Sequence, residues 1–320
     1  MNAEESLYHE SHHINTAALS KSLARTKRKP IREFGERFRA SLELVNDMLL
    51  LPTKFLALLH FERSVVFYDT KARILARLSE GDFQEQYQKN LAELIESQFK
   101  PEHDTIVKGA ADAGHHMFKD MLERNEMGLR DTYETLLYSG TVWVWCSFEV
   151  LMRELWEYAL NKGGKYFGGA VVKKLPSHDQ TGDKIKSKYI SLDYLAQYNY
   201  DLSRNLGTAL LNKFDFTSCR GIREAFTCVF PRSKNIKDAL ASRELDGLEA
   251  ARSVIVHNGG IIDSEFCKRI QTKPINTGER LRLNNQNVCE YGNAVIAVAA
   301  ALVLAISSHL THASKAAPRK

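Results

Sequence analysis

Residues 235–257 run for 23 positions with no proline and a single glycine, and then meet two adjacent glycines, Gly259 and Gly260. Ile236, Leu240, Leu245, Leu248 and Ile255 recur on a roughly helical period, which predicts a helix with one apolar stripe. Asn235 with Asp238 predicts its N-terminal cap, and the glycine pair predicts a left-handed C-terminal stop. A stripe of this kind must be buried against another element, and the rest of the chain has the same helical texture. Arg39–His60 is rich in leucine, with Pro52 predicting a break or a kink. Asp69–Phe99 contains helical runs interrupted at Gly81, Pro101 opens a new segment, and His103–Arg130 reads as one or two helices. The expected fold class is all-α. The short polar stretch Asn125–Asp131 is the expected boundary between an N-terminal helical extension (1–130) and a second helical domain (131–312), followed by a basic tail (313–320).

A chain of 320 residues can bury a large core, as two domains or as one elaborated helical domain. Its formal net charge of +5 permits an anionic partner without requiring one. The densest basic run is Lys21–Arg39, with eight Lys/Arg against Glu33 and Glu36; it reads either as a contact for an anion or as a solvated arm. Five cysteines with no Cys-x2-Cys pair argue against a zinc site or a disulfide framework and suit a reducing cytoplasm. The N-terminus opens with acidic residues and lacks an apolar signal-like core. The most apolar run, Ala294–Ile306, is 13 residues long, which suits a buried helix better than a membrane span.

Between Lys162 and Lys188, Gly163, Gly164, Gly168, Gly169, Pro176 and Gly182 are mixed with seven lysines, a texture that predicts an insertion-like loop, a solvent-exposed connection first and a backbone clamp if the helix before Gly259 binds RNA. Its spacing matches no phosphate-binding loop. The adjacent pairs His12-His13 and His115-His116, and His103-Asp104 after Pro101, lack the spacing of a metal-ligand set, so no metal or cofactor is expected. The chain also lacks a nucleophile elbow and a dinucleotide fingerprint.

The chemistry concentrates where the first helix ends. His257 falls in the last turn, where the negative end of the helix dipole favours an imidazolium, and it is a candidate proton-transfer group. Arg252 lies five residues earlier, about 140° around the axis and about 7.5 Å along it. The two are therefore not expected to converge on one continuous helix. Local unwinding at the glycines, or a second copy across a two-fold axis, would bring them together. The bland alternative is that both only cap carbonyls and interact with the dipole.

The full string Arg252-Ser253-Val-Ile-Val-His257-Asn258-Gly259-Gly260-Ile-Ile-Asp263 resembles the Arg-x4-His signature of the HEPN superfamily, small helical domains found in many ribonuclease toxins and defence proteins. Ser139–Asn161 is similar to the long early helix of such domains, with Val142, Trp145, Phe148, Met152, Leu155 and Trp156 on a core-facing stripe. Asn276–Leu283 and a final helix from about Asn287 to Leu310 are similar to the closing segment. The resemblance covers roughly residues 131–312 and is strong at 249–263.

It implies a HEPN-like bundle, a homodimer, RNA as partner, and a metal-independent endoribonuclease, with an antitoxin or other regulatory partner in toxin or antiviral roles. By the same resemblance His257 would help activate the ribose 2′-hydroxyl and Arg252 would steady the phosphate. The family often carries Asn, Asp or His directly after the arginine, where this chain has Ser253, a departure that favours the alternative of a non-catalytic nucleotide- or RNA-binding or dimerisation module. Asn258 either orients the phosphate or caps the helix. Glu149, in the apolar early helix, either pairs with Arg153 four residues on or orients Arg252 or His257.

Overall fold

The computed structural model describes residues 13–173, 195–270 and 277–316. They are predominantly helical, with no strand among the described residues, and the protein is all-α. The helices are α1 (Ala17–Arg25), α2 (Lys29–Leu78), α3 (Phe83–Leu94), α4 (Lys100–Glu123), α5 (Leu129–Lys173), α6 (Leu206–Leu210), α7 (Cys219–Val229), α8 (Lys234–Leu240), α9 (Arg243–Asn258), α10 (Ser264–Ile270) and α11 (Asn285–Ala316). They fall into two compact units, one of residues 47–136, the other of residues 13–46 with the described residues from 137 onward, and the divisions lie within α2 and α5.

In the smaller unit α2 runs through Pro52 without the expected break. Proline removes the donor that would reach the Met48 carbonyl, and in the same turn the Thr53 hydroxyl donates to the Leu50 carbonyl at 2.8 Å. The chain reverses at Gly81, whose φ of +117° suits glycine, and Asp82 caps α3 by accepting the Glu85 N–H at 2.9 Å. Tyr68, Ala72 and Leu94 form a small core with Tyr87, Leu91, Phe99 and Ile106. One π-helical turn, Ile95–Phe99, joins α3 to α4, so Pro101 enters a widened turn and the helix continues. Gly114 lets α4 approach α2: a Cβ there would lie 2.7 Å from the Ala57 nitrogen and the Thr53 oxygen. Left-handed Asn125, Met127 and Gly128 then turn the chain into α5, within the stretch expected as a boundary.

The larger unit is built on α5 and α11. Trp145, Phe148, Met152, Leu155 and Trp156 are fully buried, as their stripe predicts, and Val142 is partly so. The Trp156 indole donates to the Ala225 carbonyl at 2.9 Å and its ring meets Phe214 and Phe216. Residues 13–46, grouped by sequence with the N-terminal extension, instead belong to this unit. Ile14 exchanges hydrogen bonds with the Asn46 side chain, the Asn15 N–H donates to Asn293 at 2.7 Å, and Ile14 fills the space over Gly292 of α11. The basic run is correspondingly helical, and part of its charge is paired: Lys29 with Glu33, Arg39 with Glu36 and Glu43, Arg37 with Glu154.

Three further expectations change. The Gly/Lys-rich segment is helix up to Lys173, with Gly168 making room for the Leu206 side chain, which a Cβ there would meet at 2.7 Å; residues 174–188 of it lie outside the described residues. The apolar run 294–306 sits inside the 32-residue α11, the one helix among the described residues long and apolar enough to cross a membrane; 56% of its apolar window is buried within the protein. The run 235–257 is two helices, α8 and α9, separated at Ala241–Ser242. Ser242 takes an extended ψ of 131°, and the Arg223 guanidinium donates to the Leu240 carbonyl at 2.7 Å, which satisfies the end of α8. Ser233, not Asn235, stands at the N-cap of α8.

Candidate active site

α9 begins with Glu244 and Asp246 in its first turn and ends with His257 in its last, the charge order that a helix dipole favours. Its buried face is Leu245, Leu248, Ala250, Ala251 and Val254. The predicted glycine stop is present. Gly259 is left-handed at φ +60°, and the N–H groups of Gly259 and Gly260 both donate to the Val254 carbonyl. Residues 260–262 then pair with 278–281 through Ile262 N–H to Glu279 O, Gly278 N–H to Ile262 O and Leu281 N–H to Gly260 O, at 2.7–2.8 Å. Gly260 (φ +85°) lies directly against Tyr138, whose hydroxyl donates to the Leu281 carbonyl.

Against expectation, Arg252 and His257 meet within one chain and one helix: Arg252 Nη1 lies 3.5 Å from His257 Nε2, and α9 stays helical through Asn258. The angle of about 140° describes where the side chains leave the helix, and a long arginine side chain closes it by folding over the last turn. Arginine is a donor only, so a hydrogen bond between the two requires His257 Nε2 as the acceptor. Arg252 is half-buried, His257 is exposed, and the Arg252 Nε is buried without a partner. Ser253 is half-buried, one turn before His257 on the same side of the helix.

The nearby acids are engaged elsewhere. Glu149 pairs with Arg153 at 2.9 Å, the structural alternative of the two the sequence left open. Glu249 accepts from the Cys219 N–H at 2.9 Å and from Arg269 at 3.1 Å. Asp263 accepts the Phe266 N–H and the Asn258 amide, each at 2.7 Å. The Phe266 N–H first and then the Asn258 amide hold the Asp263 carboxyl below the usual aspartate range, against its partial desolvation. Asn258 thus ties the helix end to the turn that follows, a use different from both orienting a phosphate and capping its own helix. No carboxylate pairs with Arg252 among the described residues.

Sequence reading missed what stands beside the pair. Burial, and then Glu149, push the Cys146 thiol up while Arg252 opposes them, so these three groups share one electrostatic neighbourhood on α5 and α9. Cys146 also lines a cavity of about 310 Å³ with Phe34, Phe38, Trp143 and Val150. Its only sequence signal was the exposed side of α5, Trp143, Cys146 and Val150, three and seven residues apart. One set of metal-ligand types comes together among the described residues, Cys219, Asp246 and Glu249, all within 4.8 Å. Burial and Glu249 hold the Cys219 thiol well above its usual range, hence protonated, and Arg223 and Arg269 take the two carboxylates, so the cluster is already balanced by protein cations. His103 and Asp104 touch at 3.2 Å on an exposed turn.

No family model, curated protein or solved structure matches this chain. The likeness to the HEPN superfamily rests on the residues of the motif and its flanking helices.

Proposed function

We propose that this protein is a metal-independent endoribonuclease of HEPN type, cutting RNA at the Arg252–His257 pair. The observation that carries the reading is the pair itself: two groups able to carry positive charge, 3.5 Å apart at an exposed helix end, with no carboxylate taking the arginine. Such a pair fits a phosphate oxygen. In the reaction, His257 Nε2 accepts the proton of the ribose 2′-hydroxyl as its oxygen attacks the adjacent phosphorus. Arg252 stabilises the charge that builds on the phosphoryl oxygens, and the departing 5′-oxygen takes up a proton. The products are a 2′,3′-cyclic phosphate and a 5′-hydroxyl end. The five cysteines are free, which suits the cytoplasmic setting and the toxin or defence role that the resemblance implies.

The test is incubation of the purified chain with total RNA in chelator, beside Arg252→Ala and His257→Ala. Cleavage in the wild type that falls by about 10²-fold or more in folded variants supports the reading; equal cleavage in all three refutes it. The Asn258–Asp263 tie and the uncharged Ser253 favour a second reading, an RNA- or nucleotide-binding module. In that case RNA is bound, uncut, and released by Arg252→Ala.

A further inference from the structure

The smaller unit leaves a long apolar stripe on α2 uncovered. Leu51, Phe55, Leu58, Leu59, Val65 and Val66 are each 40–62% exposed. At 100° per residue all six lie within about 120° of one another around the helix. The neighbouring face is occupied: α4 packs through Gly114 against the backbone at Thr53 and Ala57, and Phe61 meets Phe99 and His103. Scattered exposed aliphatics are ordinary, but six apolar side chains gathered in one sector around a single acid, Glu62, mark an interaction surface.

We propose that this stripe is a homodimer interface, in which α2 packs antiparallel on α2 of a second copy about a two-fold axis at Leu58. The arithmetic of the sequence supports that occupant. An antiparallel pair about Leu58 sets Leu51 level with Val65 of the partner subunit and Lys54 level with Glu62 of the partner subunit, and the symmetry makes each match twice. Glu62 has no ion-pair partner among the described residues, and Lys54 is exposed, holding only the surface residue Asp47. Six half-exposed side chains per copy amount to on the order of 500 Å² of surface, so two copies bury on the order of 1,000 Å², the lower range of specific interfaces. A bilayer is a poorer occupant, because Asp47, Lys54, Glu62 and Arg63 along the stripe are balanced in charge rather than basic. The interface does not rest on the ribonuclease reading.

Light scattering and sedimentation of the full chain between about 1 and 50 μM test it. The wild type is expected to dimerise. Leu58→Glu, on the axis and therefore present twice, is expected to weaken the dimer by about 100-fold or more while leaving the helical signal and melting intact. Lys54→Glu and Glu62→Lys are each expected to weaken it several-fold, and the double variant to restore it; these reversals decide the matter if Leu58→Glu fails to fold. A wild type that stays monomeric, with or without binding to anionic vesicles, overturns the proposal. So does a dimer indifferent to Leu58→Glu, or charge reversals that add without rescue.

Discussion

Gly260→Ala should be far more damaging than Gly259→Ala, although the two glycines are adjacent and both left-handed. Gly259 (φ +60°) has nothing within 4 Å of an added Cβ, so alanine there incurs only the backbone penalty of about 1 kcal/mol. At Gly260 (φ +85°) the same penalty applies, and the new methyl would lie 2.6 Å from Tyr138 Cε2 and 2.8 Å from its hydroxyl. The ring has to move, which as overpacking costs about 1–3 kcal/mol. Moving it also pulls the hydroxyl from the Leu281 carbonyl, a buried contact worth about 1–3 kcal/mol when its partner is lost. The sum is about 3–7 kcal/mol at Gly260 against about 1 at Gly259. For a unit of this size about 2–4 °C of Tm follows each kcal/mol, so the expected shifts are on the order of 10 °C and a few degrees. Thermal melts by circular dichroism of the two variants decide it. In a Tyr138→Leu background the cost of Gly260→Ala should shrink, since the obstructing ring is gone. Equal shifts for the two glycines, or no relief from Tyr138→Leu, would refute the claim that Tyr138 sets the requirement.

Two further predictions concern the acids around α9. Asp263 is held below the usual aspartate range in the folded state, so its contribution to stability is full above the unfolded aspartate value and is lost as pH falls through the folded one. Urea unfolding should therefore show a loss of stability below about pH 4 that is smaller in Asp263→Asn; identical slopes would exclude Asp263 as a source. Glu249 satisfies both the Cys219 N–H and Arg269, so Glu249→Ala should cost about 2 kcal/mol, read as a lower urea midpoint, with Arg269→Ala adding little on top. Full additivity of the two would mean that they do not act as a pair.

Period and punctuation made the helical class legible, and the glycine stop after His257 was readable because left-handed backbone has a residue signature. What escaped the sequence depends on distant partners. The break between α8 and α9 is sustained by Arg223, seventeen residues upstream of the Leu240 carbonyl it caps. The glycines of residues 163–169 looked like loop, yet Gly168 makes room on α5 for Leu206, about forty residues away. Pro52 looked like a break, yet α2 continues through it where α4 packs against the Thr53 carbonyl at Gly114. The separation of Arg252 and His257 failed for a simpler reason: helical angles describe where side chains leave the backbone, and an arginine is long enough to undo them.

The feature that makes Arg252 a candidate phosphate ligand is that neighbouring acids have other cations, and this can be perturbed without touching the motif. Glu149 is the acid to release. Its side chain is 18% exposed, it pairs with Arg153, and it shares with Arg252 the electrostatic neighbourhood of Cys146. Arg153→Ala removes its partner, and a carboxylate so poorly solvated without a cation is costly. Arg252, which also acts on Cys146, is a cation it can turn to. A Glu149–Arg252 pair would compete with phosphate, so Arg153→Ala should weaken RNA binding several-fold and steepen its loss with salt, with the motif residues unchanged. Arg153 also packs over Phe216, so some stability will be lost with it. The double variant Arg153→Ala with Glu149→Gln separates the two effects: it keeps the packing defect but removes the competing charge, and should restore RNA binding toward wild type. If the double variant binds no better than Arg153→Ala alone, the loss is structural and the engagement of Glu149 elsewhere has no part in leaving Arg252 open to an anion.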